Sequence, residues 1–178
     1  MTTFDQAFTY TVGNEGGFTK DPNDKGNWTG GSVGVGVLKG TKYGISAASY
    51  PTLDIENLTI DQAKAIYQRD FWNKFLINTV TDPNIAIKIF DLVVNAGANA
   101  EAVVQLALRA YQPDLELDGY MGPVTIGLIN KTDPVALLKG IDTAAGMYYW
   151  VLAHKVSSNF LKYLNGWEIR AFKNPIAN

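Results

Sequence analysis

The sequence has no cysteine, which excludes disulfides, a thiolate nucleophile and any cysteine-ligated metal. It has one histidine, His154, which argues against a histidine-based zinc site and against a Ser-His-Asp triad. No cluster of Lys and Arg occurs, so the electrostatic footprint of a nucleic-acid binder is missing. Long hydrophobic runs are absent as well. The most apolar stretch, Ala144 to Ala153, is far shorter than the roughly 20 residues that span a bilayer. The N-terminus, MTTFDQAFTYTVGNE, has neither the basic region nor the continuous apolar stretch of a signal peptide. These absences predict a chain that is cytoplasmic as made or exported without a standard signal, with no membrane insertion, no nucleic-acid partner, no metal and no cofactor; a monomer is expected.

What is present is a globular composition. At 178 residues and 47% apolar, the chain can bury one sizeable core. Four Trp, nine Tyr and eight Phe suit either that core or a surface that stacks on flat ligands. The net charge of −2 is uneven, with −5 over residues 1–120 and +3 over residues 121–178. The positive end could face an anionic polymer, and ordinary solvated faces explain it equally well.

Hydrophobic spacing lays out the elements. Phe4, Ala7, Phe8 and Val12 predict a first helix over 2–15. From Gly13 to Gly44, ten of 32 residues are glycine. Within that stretch Val33, Val35 and Val37 alternate with Gly34 and Gly36, a period of two that predicts a small hairpin. Thr59 and Gln62 resemble a capping box, opening a helix that runs to about Phe75. Pro83 opens another, with Ile85, Ile89, Leu92 and Val93 inward. Further helices are expected over 99–111, after Gly122-Pro123, from Pro134 to about His154, and from near Gly166 to before Pro175. The Pro134 helix reads as buried nearly all round. The expected fold class is mainly helical α+β: one domain over 1–178, with a glycine-rich region over 1–78, a helical region over 79–178, and a soft seam near Asn78 to Pro83.

The residues that suggest chemistry sit in the glycine-rich region. Glu15 falls where the first helix stops, against Gly16, Gly17 and Phe18. A carboxylic acid there is partly desolvated, which raises its pKa towards what a proton donor near neutral pH requires. Asp21 and Asp24 follow on a polar turn that keeps a carboxylate ionised, and Thr41 lies beyond them. Two carboxylates in opposed environments are the equipment of glycoside hydrolysis: one protonates the leaving oxygen, the other orients water or stabilises positive charge. Glu-Gly-Gly is also a plain helix stop, and Asp-Pro-Asn-Asp a normal turn, so types and spacing leave both readings open.

The stretch NEGGF-x-x-DPND followed by TKYGIS resembles the NEGGY-x-x-DPxD...TxYGIT signature of family 108 of the glycoside hydrolases, N-acetylmuramidases common in phage endolysins. IYQRDFW, FDLVVNAG, LDGYMGPVTIGLI and FLKYLNGWEIR resemble further segments of that family and of the peptidoglycan-binding region that usually follows it, in order from about Phe4 to Arg170. The resemblance implies a lysozyme-like fold and a peptidoglycan hydrolase acting on the bacterial cell wall, where it would work in the periplasm. It implies Glu15 as general acid, with Asp24 and Thr41 holding the attacking water and Asp21 as rival for the second carboxylate. The sequence departs from the pattern at one place. Sixteen residues, Lys25 to Gly40, stand where the family has only a few. Asp24 and Thr41 can act together only if this insert folds back on itself.

Other candidates are secondary. Tyr43 is placed to floor the site. Trp28 could stack on a sugar or fill a small satellite core under the insert. Asp91 and Asn95 lie one helical turn apart and could bind acetamido groups, or serve structure. Asp118, Gly119, Gly122 and Thr125 read as a turn and cap rather than a pocket. His154 reads as a packed core or edge residue, and Trp72, Trp150 and Trp167 as core anchors. Two other functions remain in view, a lytic transglycosylase and a peptidoglycan-binding module without activity.

Overall fold

The computed structural model describes residues 3–13, 17–156 and 161–175. Among the described residues no helix is long and apolar enough to cross a membrane. The chain divides into two compact units, residues 8–70 and residues 1–7 with 71–178.

Helix α1, Thr3–Thr11, gives residues to each unit. It stops earlier than the spacing predicts because Gly13 turns left-handed at φ 66° while its N–H reaches back to the Phe8 carbonyl. In the 8–70 unit Phe8 packs edge-on to Tyr67 at 5.5 Å, and Ile45, Ile55, Leu58 and Ile66 are also buried. Tyr67 belongs to α2, Ile60–Tyr67, which opens with the expected box: Thr59 Oγ1 accepts the Gln62 N–H and Gln62 Oε1 accepts the Thr59 N–H. A π-helical turn over Gln68–Asn73 continues it.

The sheet is not where the Val-Gly alternation put it. Its two antiparallel strands are β1, Thr41–Lys42, and β2, Ile45–Ser46, paired Thr41 to Ser46 and Lys42 to Ile45. Tyr43 and Gly44 join them, both with positive φ (51° and 74°), as a tight two-residue hairpin turn requires. Residues Val33 to Val37 form turns instead, with all three valines exposed. Gly34 and Gly36 are left-handed, which breaks an extended ladder, so the alternation marks turns rather than a pleat.

The second unit is helical. Its helices are α3, Pro83–Ala96; α4, Asn99–Leu108; α5, Pro123–Ile129; α6, Pro134–Val151; and α7, Leu161–Phe172. Asp82 and Asp133 cap α3 and α6 through their side chains, each just ahead of the helix-opening proline. Helix α3 is buried from Ile85 through Val93, and Phe90 meets Phe4 and Trp72 in an edge-to-face cluster. Helix α6 packs on α3, α4 and α7. It is not buried all round, as its composition suggested: Val135, Met147, Trp150 and Val151 are exposed. Trp72 is a core anchor, whereas Trp150 lies at the surface with the exposed His154 ring stacked on it at 4.3 Å.

Candidate active site

Glu15 lies outside the described residues. The segment after it, from Gly17 to Ser46, is described throughout, and one residue organises it. Asn27 is wholly buried. Its side-chain Nδ2 donates to the Asp21 carbonyl at 3.0 Å, and its Oδ1 accepts the Thr41 hydroxyl at 2.7 Å. Its backbone N–H donates to the Asp24 carbonyl at 3.1 Å, and its own carbonyl accepts the N–H groups of Lys39 and Gly40 at 2.9 and 3.0 Å. A buried amide so engaged has almost no freedom left.

These bonds close the insert. Trp28 and Leu38 form an antiparallel bridge, and Thr29 N–H meets the Val37 carbonyl at 3.0 Å. The sixteen residues fold back without forming strands, and their two ends meet at Asn27. Beyond Gly40, Thr41 exchanges backbone hydrogen bonds with Thr19 at 2.9 and 2.8 Å. Gly40 has φ 91°, and a side chain there would strike the Thr19 carbonyl and the Phe18 ring.

The candidate residues fall as follows. Asp24 caps a 3-10 turn over Lys25–Asn27, with Oδ1 accepting the Gly26 N–H at 2.8 Å. Asp24 and Thr41 are thus linked by two hydrogen bonds through Asn27. Asp21 Oδ1 caps its own turn by accepting the Asn23 N–H at 2.9 Å. Trp28 is half-buried, and its indole N–H donates to the Pro22 carbonyl at 2.8 Å, which ties the insert to the turn carrying both aspartates. Tyr43 sits in the hairpin turn, where its carbonyl accepts the Tyr67 hydroxyl at 3.0 Å. Burial pushes the Tyr67 hydroxyl pKa up to about 12, so it stays protonated as that donor.

Asp91 and Asn95 belong to the helical unit. Asp91 is buried on α3 and its Oδ1 meets Arg170 Nη1 at 3.3 Å. Asn95 is exposed and donates to the Asp91 carbonyl at 2.6 Å, one turn back along the helix. Among the described residues no three His, Cys, Asp or Glu side chains converge to hold a metal.

Asn27 is the organising residue of this segment that sequence reasoning missed. It sits in an uncharged run with no periodicity to mark it as buried, and its sequence neighbours reveal nothing of Thr41. A second omission is Gln105. This buried α4 residue accepts the Gly119 N–H and donates to Asp118 Oδ1 (2.6 Å) and to the Tyr120 carbonyl (3.1 Å). The Asp118–Thr125 segment is therefore a clamped turn, as expected, but contrary to expectation Asp118, Gly122 and Thr125 also line a cavity.

Residues 8–97, just over half of the chain, match the family model described as glycosyl hydrolase 108. Residues 99–172 match the model described as a predicted peptidoglycan domain. Among solved structures the chain is similar to Brucella abortus SagA, with 19% identity and a TM-score of 0.64 over 95% of this chain and 93% of that one. That likeness concerns the fold: mainly helical with a small two-stranded sheet, of lysozyme-like α+β class. The comparison with curated proteins gives no match.

Proposed function

The chain belongs to glycosyl hydrolase family 108, and from that premise we propose that it cleaves the β-1,4 bond between N-acetylmuramic acid and N-acetylglucosamine. Family membership makes it a glycoside hydrolase, and the domain that follows makes peptidoglycan the ligand class. The observation that supports the finer reading is the closed insert, which links Asp24 to Thr41 through Asn27.

In this mechanism Glu15 protonates the glycosidic oxygen as the bond breaks, and water attacks the anomeric carbon. The hydrogen bonds on Asn27 define how Thr41 can hold that water. The Asp21 carbonyl can only accept, so the Asn27 NH2 must face it and Asn27 Oδ1 must face Thr41. The Thr41 hydrogen is then committed to Asn27, and its oxygen can serve water only as an acceptor. A water donating one hydrogen to Thr41 and the other to the Asp24 carboxylate keeps a lone pair for the carbon. Asp24 draws off the proton as attack proceeds, and the product ends in a free reducing sugar.

The test is turbidity clearing of purified peptidoglycan by the wild-type chain and by Glu15→Gln, followed by mass spectrometry of the fragments. Clearing by wild type, free reducing ends and loss of clearing in a folded Glu15→Gln chain are expected. An active Glu15→Gln chain would overturn the acid assignment. Fragments with 1,6-anhydro ends would make the protein a lytic transglycosylase, and binding without fragment release a docking module.

A further inference from the structure

The turn clamped by Gln105 forms one wall of a cavity of about 450 Å³ in the helical unit, within the segment matched to the peptidoglycan domain. Its walls are of two kinds. Leu115, Pro123, Val124 and Leu128 give it an apolar floor and rim, and the Tyr120 ring stands exposed beside them. Asp114, Glu116 and Asp118 give it three carboxylates, and no Lys or Arg lines it. None of the three forms an ion pair among the described residues. Arg109, at the end of α4, donates its Nε–H to the Leu115 carbonyl at 2.8 Å and is not part of the lining.

The cavity is built rather than incidental. Asp118 Oδ1 is filled by Gln105 Nε2 and by the Tyr120 N–H, which hold its carboxyl below the usual carboxylate range. Met121 N–H is held by Glu101 Oε2 at 2.6 Å on the buried side of the same turn. Gly122 lies close under the Tyr120 ring, where a Cβ would meet it unless the ring moved, and both residues line the cavity. The carboxylates do not converge tightly enough to hold a metal ion. A cavity lined by both apolar side chains and carboxylates that form no ion pair among the described residues fits an aliphatic chain that ends in an ammonium group.

Peptidoglycan carries one such group. Its peptide stem is rich in carboxylates, and its cationic end is the distal ammonium of an uncrosslinked diamino acid. We propose that this cavity binds the peptide stem of peptidoglycan by that ammonium, with the methylene chain along Val124 and Leu128 and the charge among Asp114, Glu116 and Asp118. The inference rests on peptidoglycan as the substrate, and not on the roles of Glu15, Asp24 and Thr41. The cavity would give the enzyme a preference for wall whose stems are not yet crosslinked, because crosslinking turns the ammonium into a neutral amide.

The test uses the full chain with Glu15→Gln, so that no turnover intervenes, and measures Kd for disaccharide-peptide fragments by calorimetry. Lysine-stem and diaminopimelate-stem fragments are compared, each with its distal amine free or acetylated. Acetylation is expected to weaken binding of the stem that fits by about tenfold, the worth of two exposed charge pairs. Adding Asp114→Asn with Glu116→Gln is expected to weaken the free-amine fragment equally and leave the acetylated one unchanged. Val124→Lys, an exposed position, is expected to act in the same direction by repulsion. The stem that acetylation weakens identifies the diamino acid. Insensitivity of both stems to acetylation, or no detectable binding of either, overturns the proposal. Cleavage of peptide-stripped glycan strands by the wild-type chain reports separately on the muramidase reading.

Discussion

Asn27 concentrates the energetics of the glycine-rich segment into one buried amide. Asn27→Ala leaves the Thr41 hydroxyl and the Asp21 carbonyl without their partner, and the loss is expected to be about 2–4 kcal/mol in denaturant unfolding. Asn27→Asp separates geometry from charge. Its carboxylate still accepts from Thr41 but faces the Asp21 carbonyl, so burial and that contact raise its folded pKa above the unfolded value. A raised folded pKa gives stability that is present at low pH and lost as pH rises, so the deficit relative to wild type should be smaller at pH 4 than at pH 7. A deficit that does not change between those pH values would contradict the buried placement. At Thr41, Ser is expected to keep most of the clearing activity and Val to lose it, because only the hydroxyl oxygen is needed as acceptor. Of these residues, Asp24 and Thr41 could be singled out from the sequence only through the resemblance to family 108, since types and spacing alone left a plain turn equally open. Asn27 was not, because its role is made by contacts fourteen residues away.

Among the elements, most helices were legible because their start signals are local. The Thr59 box and the prolines at 83 and 134 all open helices where the sequence put them. The end of α7 is held differently, by a residue 83 positions away. Lys88, on the buried helix α3, donates to the carbonyls of Ala171 and Lys173 at 2.6 and 2.9 Å and pairs with Asp142 at 2.9 Å. Asn174 donates to the other Asp142 oxygen at 2.8 Å. Lys88→Met strands a buried carboxylate and several carbonyls, and a loss of about 3–5 kcal/mol is expected from urea titration. Lys88→Met with Asp142→Leu should recover part of that loss, since no buried charge remains unpaired. Hydrogen exchange should quicken first in α7 of the single variant; protection unchanged there would argue against the tie. Two of the misread elements, the Val33–Val37 hairpin and the fully buried α6, share a cause, whereas α1 ends earlier and α7 begins earlier than the spacing predicts. Pattern alone does not say which apolar face is covered, and among the described residues the three valines and Met147, Trp150 and Val151 of α6 stay exposed.

At the scale of the whole molecule, each compact unit carries one buried tyrosine whose pKa burial pushes up to about 12: Tyr67 in the first and Tyr149 in the second. Both folded values lie above the unfolded one of about 10, so their contribution is complete below pH 10 and lost as pH rises through 12. Between those values stability should fall by roughly 1.4 kcal/mol per pH unit for each tyrosine. Unfolding followed by tyrosinate absorbance checks this: ionisation of the two should accompany unfolding rather than precede it. The family segments divide the chain near Ala98, whereas the compact units divide it at Asp70, so α3 belongs to the hydrolase segment by sequence and to the helical unit by packing. The sequence by itself determined most helix starts, the lack of thiol chemistry, and the family, because these depend on residue types at short spacing. Tertiary structure alone decided that a sixteen-residue insert closes on Asn27, that the hairpin falls at TKYGIS, and that three carboxylates gather at one cavity. The hairpin and the carboxylates are close in sequence, but the contacts that place them, Asn27 with Thr41 and Gln105 with Asp118, join residues well apart in the chain, which burial and hydrogen bonding select and local spacing does not encode.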